Sequence, residues 1–343
     1  MEMRVLGGTG MRVSPLCLGT MMFGPIGNSD HKDCVRIIHR AFDAGINFLD
    51  TADVYSRGES EQIVGKALKG KRDDVIVATK FYNPMGEDPN MRGGSRRWIE
   101  RAVDDSLRRL DIDYIDLYQM HRFDAATDLD EVLFTLTELV RKGKIRTFGS
   151  SMYPADRIVE AQWVADRRGH LPFRCEQSVY SVFNRDIEHF VLPACARHGM
   201  GMIVWSPLDG GMLSGKYKAS KDFDDSSRIV AFAKRFTGGF DAESAMIQRK
   251  LALVAELEEV AAEAGVSLAQ LAVAFSIEHP AVTSAIIGPR TMEHLETILD
   301  AGDKRLDPGV LDRIDTLCPP GTRIGGMPDV PDGTALDLRR RPR

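Results

Sequence analysis

Four polar side chains in this sequence have types and positions suited to acid–base chemistry. Asp50 and Lys80 are the last residues of two short apolar segments, and His121 directly follows a third. Tyr55 lies five residues after Asp50. If the three segments are neighbouring parallel strands, their polar ends meet at one mouth of a barrel, the usual position of catalytic groups. Each residue alone could be a helix cap, a loop aromatic or a solvated lysine, but their joint occurrence favours one catalytic site.

A tyrosine beside a lysine can serve as a general acid. A free phenol has a pKa of about 10, and we expect the ammonium of Lys80 to lower the pKa of Tyr55. Asp50 can hold Lys80, and His121 can hydrogen-bond an oxygen atom bound near Tyr55. Such a set suits the reduction of a carbonyl group, for which a nicotinamide cofactor must supply hydride because no side chain can. No metal is expected, since Lys80 would repel a cation held by Asp50 and His121.

The elements that would position these residues alternate regularly along the chain. Short β-rich segments are followed by longer stretches with helical spacing of apolar residues, which predicts a single-domain (β/α)8 TIM barrel with long βα loops. The eight predicted strands cover residues 13–19, 46–50, 75–80, 115–120, 145–150, 174–178, 202–206 and 283–287. A doubly wound open sheet is the alternative. Its dinucleotide signature is missing, because the glycines at 7–10 precede the first strand and lack the GxGxxG spacing; we interpret them as the turn of a hairpin that closes the barrel floor.

The helical patterns and the connections complete this arrangement. Helices are predicted at 30–44, 60–68, 95–110, 129–141, 154–168, 187–197, 245–264, 267–278 and 292–301. Two long connections, 81–97 and 207–243, follow strands and therefore lie on the face where a barrel builds its active site. We expect residues 1–318 to form the barrel and residues 319–343 to form a C-terminal tail that need not be ordered.

Composition excludes several other classes of protein. The 343 residues carry a formal net charge of −5, with 43% hydrophobic and 28% charged residues, as in ordinary globular proteins. This balance gives no reason to expect a nucleic-acid partner, and no apolar run is long enough for a membrane helix. Five cysteines without CxxC spacing, together with the lack of a signal-like start, predict a cytoplasmic protein with reduced thiols. Homo-oligomer formation is left open.

At the four polar residues the sequence resembles the aldo-keto reductase superfamily, in particular its bacterial, channel β-subunit-like branch. The resemblance runs from about residue 8 to residue 317. It rests on LCLGTMMFG (16–24), FLDTADVY (48–55), GESEQIVGKAL (58–68), VIVATK (75–80), the strand ending in histidine (116–121), GKIRTFGSS (143–151), EQSVYSVFNR (176–185), WSPLDGGMLSGKY (205–217) and IIGPRTMEHLE (286–296). The resemblance implies a (β/α)8 barrel that uses NADP(H) to reduce a small-molecule carbonyl substrate.

The resemblance also implies roles for individual residues. Asp50, Tyr55, Lys80 and His121 match the catalytic tetrad, with Tyr55 as the proton donor. Gly19, Thr20 and Met21 match the first cofactor loop, Ser151 and Gln177 the residues that bind the nicotinamide carboxamide, and Trp205 the aromatic that stacks on the nicotinamide ring. The predicted cofactor-binding positions also include Asp50. Those around the pyrophosphate are Ser206, Pro207, Leu208, Gly210, Ser214 and Lys216, and those after the last strand are Gly288, Arg290 and His294. Arg290, at a helix start there, is the predicted ligand of an adenosine 2′-phosphate.

The substrate and the cofactor preference are less constrained. Candidate pocket walls near strand ends are Met22, Phe23, Val54, Phe81, Trp98 and Phe123, which favour apolar or aromatic carbonyls or a sugar ring. Three residues depart from the family's frequent choices and leave the preference for NADP over NAD open: Met152, His294 and Ile298. The alternatives to a simple carbonyl reductase are a slow or non-catalytic nicotinamide-binding regulatory subunit, a reductase of nucleotide-linked deoxysugars and an aldolase with Lys80 as a Schiff-base amine.

Overall fold

The computed structural model describes residues 1–325 apart from 226 and 237. The chain begins with an antiparallel hairpin, in which β1 (Arg4–Val5) pairs with β2 (Arg12–Val13) across a turn at Gly7–Thr9. A Cβ atom on Gly7 would lie 2.5 Å from the backbone nitrogen of Gly201, at the N-terminal end of a barrel strand. The hairpin therefore packs on the barrel floor, as predicted from the glycines.

Eight parallel strands follow and close into a barrel, in which the last strand pairs with both the first and the seventh. Each strand lies within a few residues of a predicted segment. The (β/α)8 prediction is confirmed, and the open doubly wound sheet is excluded. The strands are β3 (Leu16–Gly19), β4 (Phe48–Asp50), β5 (Ile76–Phe81), β6 (Ile115–Met120), β7 (Ile145–Ser151), β8 (Cys175–Val179), β9 (Gly201–Trp205) and β10 (Ser284–Ile287).

Helices surround the barrel and cover its apolar strands. Ser95 caps the third helix by accepting a hydrogen bond from the backbone nitrogen of Trp98, as its position in the sequence predicted. The helices are α1 (His31–Asp43), α2 (Glu59–Leu68), α3 (Arg96–Leu110), α4 (Leu129–Arg141), α5 (Ala155–Arg168), α6 (Val191–Arg197), α7 (Arg228–Phe236), α8 (Ala245–Glu263), α9 (Leu268–Glu278), α10 (Met292–Leu299) and α11 (Pro308–Leu317). Two of them, α7 and α11, were not predicted; α7 lies within the long connection 207–243.

Side-chain alternation along the strands divides the barrel interior into an apolar and a polar layer. Phe48 and Ala78 belong to a buried apolar cluster inside the barrel. Successive residues of a strand point to opposite sides, so Asp50 and Lys80, two residues further on, face the same interior nearer the mouth. The same step places two amides in this polar layer, Gln119 and Gln177. The fold thus concentrates polar side chains at the C-terminal end of the strands.

The chain beyond α11 returns to the barrel. The backbone nitrogen of Arg185 donates to the carbonyl oxygen of Thr322 at 2.6 Å, and that of Ile324 donates to the carbonyl oxygen of Phe183 at 2.8 Å. The first part of the predicted C-terminal tail is therefore paired with the loop after β8, whereas residues 326–343 lie outside the described residues. No single helix in the described part of the chain is long and apolar enough to cross a membrane; α8 and α9, bent by 84°, meet the criterion only as a pair.

Candidate active site

Lys80 makes the central contacts of the polar layer. Its Nζ donates to Asp50 Oδ1 at 2.5 Å, to the carbonyl oxygen of Thr51 at 2.9 Å and to the hydroxyl of Tyr55 at 3.2 Å. The carboxylate and the ammonium come from the paired strands β4 and β5, while Tyr55 begins the short helical turn Tyr55–Gly58. The structure therefore brings three of the four predicted catalytic side chains into direct contact.

His121 lies beside this group. Its ring centroid is 5.9 Å from that of Tyr55, and the two rings are nearly perpendicular, at 80°. Asn83, in the loop after β5, places Nδ2 2.9 Å from Nδ1 of His121. With the amide donating to Nδ1, the proton of the neutral imidazole is on Nε2. The sequence analysis did not predict a role for Asn83, because this residue is 38 positions from His121 along the chain.

The surroundings of Lys80 and His121 determine their protonation states. Burial by itself lowers the pKa of Lys80, but the neighbouring Asp50 and Tyr55 outweigh it and raise the pKa. Burial lowers the pKa of His121 well below its ordinary value, and the cations Lys80 and Arg122 act in the same direction. At neutral pH the site therefore holds an ammonium and a neutral imidazole.

Tyr55 keeps its proton in this environment. Burial raises the pKa of the phenol, and Lys80, although it acts in the opposite direction, does not offset this effect. The sequence predicted a lowered pKa; the structure shows a raised one, because protein replaces water around the phenol and Asp50 adds its negative charge. Lys80 still stabilises a phenolate relative to a tyrosine buried without a cation. Tyr55 is thus a protonated group that can release its proton next to a fixed positive charge.

Two amides hold the carboxylate of Asp50. Gln177 Nε2 donates to Asp50 Oδ2 at 2.8 Å, and Gln119 Nε2 is 3.3 Å from the same oxygen. Because Oδ1 accepts from Lys80, both oxygens of this buried carboxylate are satisfied. Gln119 was missed in the sequence, although its position two residues after the interior Leu117 on β6 is the signal that would have identified it.

The first predicted cofactor loop is joined to this group through the backbone. The nitrogen and the hydroxyl of Thr20 donate to the carbonyl oxygen of Asp50 at 2.9 and 3.2 Å. The Thr20 hydroxyl also lies 2.8 Å from that of Ser60. A Cβ on Gly19 would collide with Ile286 of the neighbouring strand, so this position requires glycine. The loop after β3 is therefore held close to the polar layer.

Other predicted cofactor residues line the same mouth. The hydroxyl of Ser151 donates to the carbonyl oxygen of Gln177 at 2.9 Å, and the backbone nitrogen of Met152 donates to it at 3.0 Å. Met152 has a left-handed backbone with φ 58°. Met21 and Trp205 are half-buried at the ends of β3 and β9. The ends of four barrel strands thus contribute to this rim.

The predicted pyrophosphate loop runs after β9 through Ser206, Pro207, Leu208, Gly210 and Ser214 to Lys216. Its backbone repeatedly adopts positive φ, including 46° at Asp209 and 70° at Gly210. Gly210 donates from its backbone nitrogen to the hydroxyl of Ser206 at 3.1 Å. Lys250 of α8 holds the loop through an ion pair of 2.5 Å with Asp209, in which both side chains are largely buried. The hydroxyl of Ser214 is buried and has no hydrogen-bond partner among the described residues.

Basic side chains gather beside this loop. Lys216 Nζ is 3.2 Å from Nε2 of His294. Burial, followed by the charges of Lys216 and Arg290, lowers the pKa of His294. Burial also lowers the pKa of Arg228, with Arg290 acting in the same direction, and Arg228 Nη1 would be 3.5 Å from a Cβ on Gly288. Arg228 was not predicted, because it lies in the connection where no helix was expected.

This end of the barrel fits a nicotinamide dinucleotide. A run of positive-φ residues lets backbone N–H groups approach phosphate, the unpartnered hydroxyl of Ser214 supplies a further donor, and the neighbouring cations match a multiply charged anion. By contrast, no group of three or more His, Cys, Asp or Glu side chains that could hold a metal ion occurs among the described residues.

The predicted pocket walls divide into two groups. Val54 and Phe123 are half-buried at the mouth, and Phe123 packs edge-on against Tyr153 at 5.3 Å. The other four side chains are almost completely buried: Met22, Phe23, Phe81 and Trp98. Phe81 directly follows the inward-facing Lys80, so it points away from the interior and stacks on Tyr118 at 4.8 Å. The structure places Phe23, Phe81 and Trp98 in the hydrophobic core between barrel and helices.

Comparisons with known proteins agree with this architecture. The sequence model of the aldo/keto reductase family matches residues 15–318. An oxidoreductase of Bacillus subtilis (strain 168) named YrpG, itself uncharacterized, is 39% identical over 331 residues, which are 93% of this chain and 96% of that protein.

Other relatives have different names. A probable voltage-gated potassium channel subunit beta of Oryza sativa subsp. japonica is 35% identical over 324 residues, covering 92% of this chain and 96% of the relative. Norsolorinic acid reductase of Aspergillus flavus is 30% identical over 305 residues, covering 85% and 74%. The family match covers nearly all of the barrel, so this chain belongs to the aldo/keto reductase family.

Proposed function

We propose that the protein transfers hydride from NADPH to an aldehyde or ketone, with Tyr55 as the general acid. The observation that carries this proposal is the position of Lys80 Nζ, which is 2.5 Å from Asp50 Oδ1 and 3.2 Å from the hydroxyl of Tyr55. A protonated phenol next to a fixed ammonium can donate a proton to a developing alkoxide while the ammonium stabilises the phenolate that remains.

Each catalytic side chain then has a distinct task. When bound, a nicotinamide cofactor would supply hydride to the carbonyl carbon. Neutral His121, with its proton on Nε2, donates a hydrogen bond to the carbonyl oxygen and orients it toward Tyr55. Tyr55 transfers its proton to that oxygen. Lys80 balances the charge of the phenolate, and Asp50 keeps the ammonium in place with both of its oxygens occupied.

The preference for NADPH rests on the basic side chains at the other end of the proposed cofactor site. Arg290 follows β10, and its charge acts on His294, which lies in the first turn of the adjoining helix α10. Lys216 adds a further cation. A 2′-phosphate is the part of NADPH that distinguishes it from NADH, and a cluster of cations stabilises this dianion. We place the 2′-phosphate at Arg290.

Substitution of the proton donor tests the reaction. Tyr55→Phe should lower kcat by about 10²- to 10⁴-fold, the usual contribution of a positioned general acid, while leaving the affinity for NADPH nearly unchanged. Tyr114→Phe is the matched control, since Tyr114 lies between Arg72 and Arg146, away from the tetrad. The measurements are NADPH oxidation by absorbance with a panel of aldehydes and ketones, and NADPH binding by fluorescence. Retained turnover in Tyr55→Phe, or loss of cofactor binding alone, contradicts the assignment.

A nicotinamide-binding regulatory subunit is the second candidate. It is favoured by the 35% identity to a relative named as a potassium channel subunit beta. In a single-turnover experiment, protein loaded with NADPH is mixed with the carbonyl panel and its absorbance is followed. Oxidation of the bound cofactor within seconds supports a reductase, whereas a cofactor that no carbonyl compound oxidises supports the regulator.

An aldolase that uses Lys80 as a Schiff-base amine fits the site poorly. Such an amine must be unprotonated to attack a carbonyl, but the contacts with Asp50 and Tyr55 raise the pKa of Lys80. Borohydride trapping with carbonyl substrates should therefore leave Lys80 unlabelled.

A further inference from the structure

Arg122 is a cation at the active-site mouth that the proposed reaction does not use. It directly follows His121 and is half-buried. Its Nη1 donates to the backbone carbonyl oxygen of His121 at 2.6 Å. Its charge lowers the pKa of both Tyr55 and His121, so the guanidinium lies within electrostatic reach of the proton donor and of the residue that orients the carbonyl.

The guanidinium forms no ion pair with a carboxylate among the described residues. Three arginines elsewhere in the fold, by comparison, bind a carboxylate oxygen at 2.6–2.8 Å: Arg72 with Asp116, Arg109 with Glu61 and Arg185 with Glu188. A guanidinium shielded from water without a counter-ion is unfavourable. Burial accordingly lowers the pKa of Arg122.

Three carboxylates near the mouth are bound by other groups. Glu176, whose charge reaches Arg122, accepts from the hydroxyls of Ser150 at 2.5 Å and Ser178 at 2.9 Å. Asp124 accepts from the backbone nitrogen of Gly94 at 2.7 Å and from the hydroxyl of Thr127 at 2.8 Å. Asp50 is held by Lys80 and Gln177. The folded chain therefore leaves the positive charge of Arg122 without a partner beside the place where a substrate must lie.

We infer that Arg122 binds an anionic group of the substrate, and that the site selects carbonyl compounds carrying a carboxylate. This inference rests on the proposed reductase function and names the class of substrate. A guanidinium binds a carboxylate through two parallel N–H···O bonds, and such charge-assisted pairs are stronger than neutral hydrogen bonds. The hydrogen bond from Arg122 to the backbone carbonyl oxygen of His121 holds the guanidinium next to that residue. The substrate carboxylate would therefore bind Arg122 while the substrate carbonyl oxygen binds the neighbouring His121.

Matched pairs of charged and neutral substrates test the inference. The three isomeric formylbenzoates are compared with their methyl esters, which keep the ring and the aldehyde but lack the charge. The full-length protein with NADPH should show a kcat/KM for at least one formylbenzoate that is about 10- to 100-fold above that of its ester, the range expected for one charge-assisted hydrogen-bonded pair. Arg122→Met should reduce this ratio to about one, and Arg122→Lys should retain part of it.

Arg97→Met is the control for the change in net charge, because Arg97 is an exposed arginine at the start of α3. It should leave the acid-to-ester ratio unchanged. Thermal unfolding and NADPH binding establish that each variant is folded. A wild-type ratio near one for all three isomers, or an Arg122→Met variant that keeps the wild-type preference, overturns the inference.

A binding measurement separates this inference from the proposed reaction. Calorimetry compares benzoate with benzamide on the protein–NADPH complex, where no turnover occurs. The anion site is supported if the wild-type complex binds benzoate but not benzamide and if Arg122→Met no longer binds benzoate. This conclusion holds even if the protein reduces no aldehyde, because that result would reject only the reductase function. Equal binding of benzoate by wild type and Arg122→Met overturns the role of Arg122 whether or not aldehydes are reduced.

Discussion

Lys80→Met removes the ammonium that joins the catalytic groups and should destabilise the fold as well as stop turnover. The Lys80 and Asp50 side chains are 0% and 3% exposed, and their ion pair is 2.5 Å long. Removing one partner of a buried pair typically costs 3–5 kcal/mol, because a charge remains buried without compensation. Gln177 and Gln119 still donate to Asp50 in the variant, so we expect a loss near the lower limit, about 3 kcal/mol.

The double variant Asp50→Asn/Lys80→Met shows whether this loss comes from the uncompensated carboxylate. It removes both charges, so it should be more stable than Lys80→Met alone by about 2 kcal/mol, while remaining inactive. The assay is urea unfolding at neutral pH, followed by circular dichroism for wild type, both single variants and the double variant. The raised pKa of Lys80 means that its contribution to stability is complete below its ordinary value of 10.5 and is lost only as pH rises through the higher folded value. The difference in stability between wild type and Lys80→Met should therefore be the same at neutral and at mildly alkaline pH.

Two results would refute this reasoning. One is a Lys80→Met variant less than 1 kcal/mol below wild type, which would mean that the ion pair contributes little to the fold. The other is a double variant no more stable than Lys80→Met, which would mean that the loss comes from packing around the removed side chain and not from the buried charge of Asp50.

Three further predictions concern the cofactor site and its support. Arg290→Ala should raise the Kd for NADPH at least tenfold more than that for NADH, measured by fluorescence titration; equal effects would remove the basis for NADPH preference. Lys250→Met should leave Asp209 without its buried partner and weaken NADPH binding severalfold with little change in kcat, and binding equal to wild type would show that the loop needs no anchor. Burial raises the pKa of Glu176 to about 7, so its contribution to stability is present below its unfolded pKa and is lost as pH rises through 7. Glu176→Gln should therefore match wild type at pH 4 and exceed it at pH 8 by up to about 3 kcal/mol in urea unfolding; the same difference at both pH values would contradict this.

The barrel could be predicted because its pattern is local. A strand covered on both faces is apolar throughout, and a helix repeats its apolar residues with its own period, so each element is visible in a short window of sequence. The predicted catalytic residues followed from the same pattern, since Asp50 and Lys80 end apolar runs. The helix α7 was missed because a long polar connection hides one short amphipathic helix.

The side of the strand that a residue faces could not be predicted from its proximity to the strand end. Phe81 neighbours Lys80 in sequence, yet it faces the opposite side of the strand and packs in the core. Asn83 reaches His121 across 38 positions of the chain, and Lys250 reaches Asp209 across 41. Such contacts depend on how distant segments come together, which no local pattern encodes.

By itself, the sequence determined the repeating strand–helix order and the identity of the polar residues at three strand ends, because periodicity and residue type are properties of the chain. Only the tertiary structure decided the charge states and the contacts of those residues. Burial raised the pKa of Tyr55, where proximity to Lys80 alone suggested a lowered pKa. The packing of the chain also left Arg122 at the mouth without a carboxylate partner among the described residues. Both outcomes depend on how much water is excluded and on which distant groups meet, and these are properties of the packed barrel.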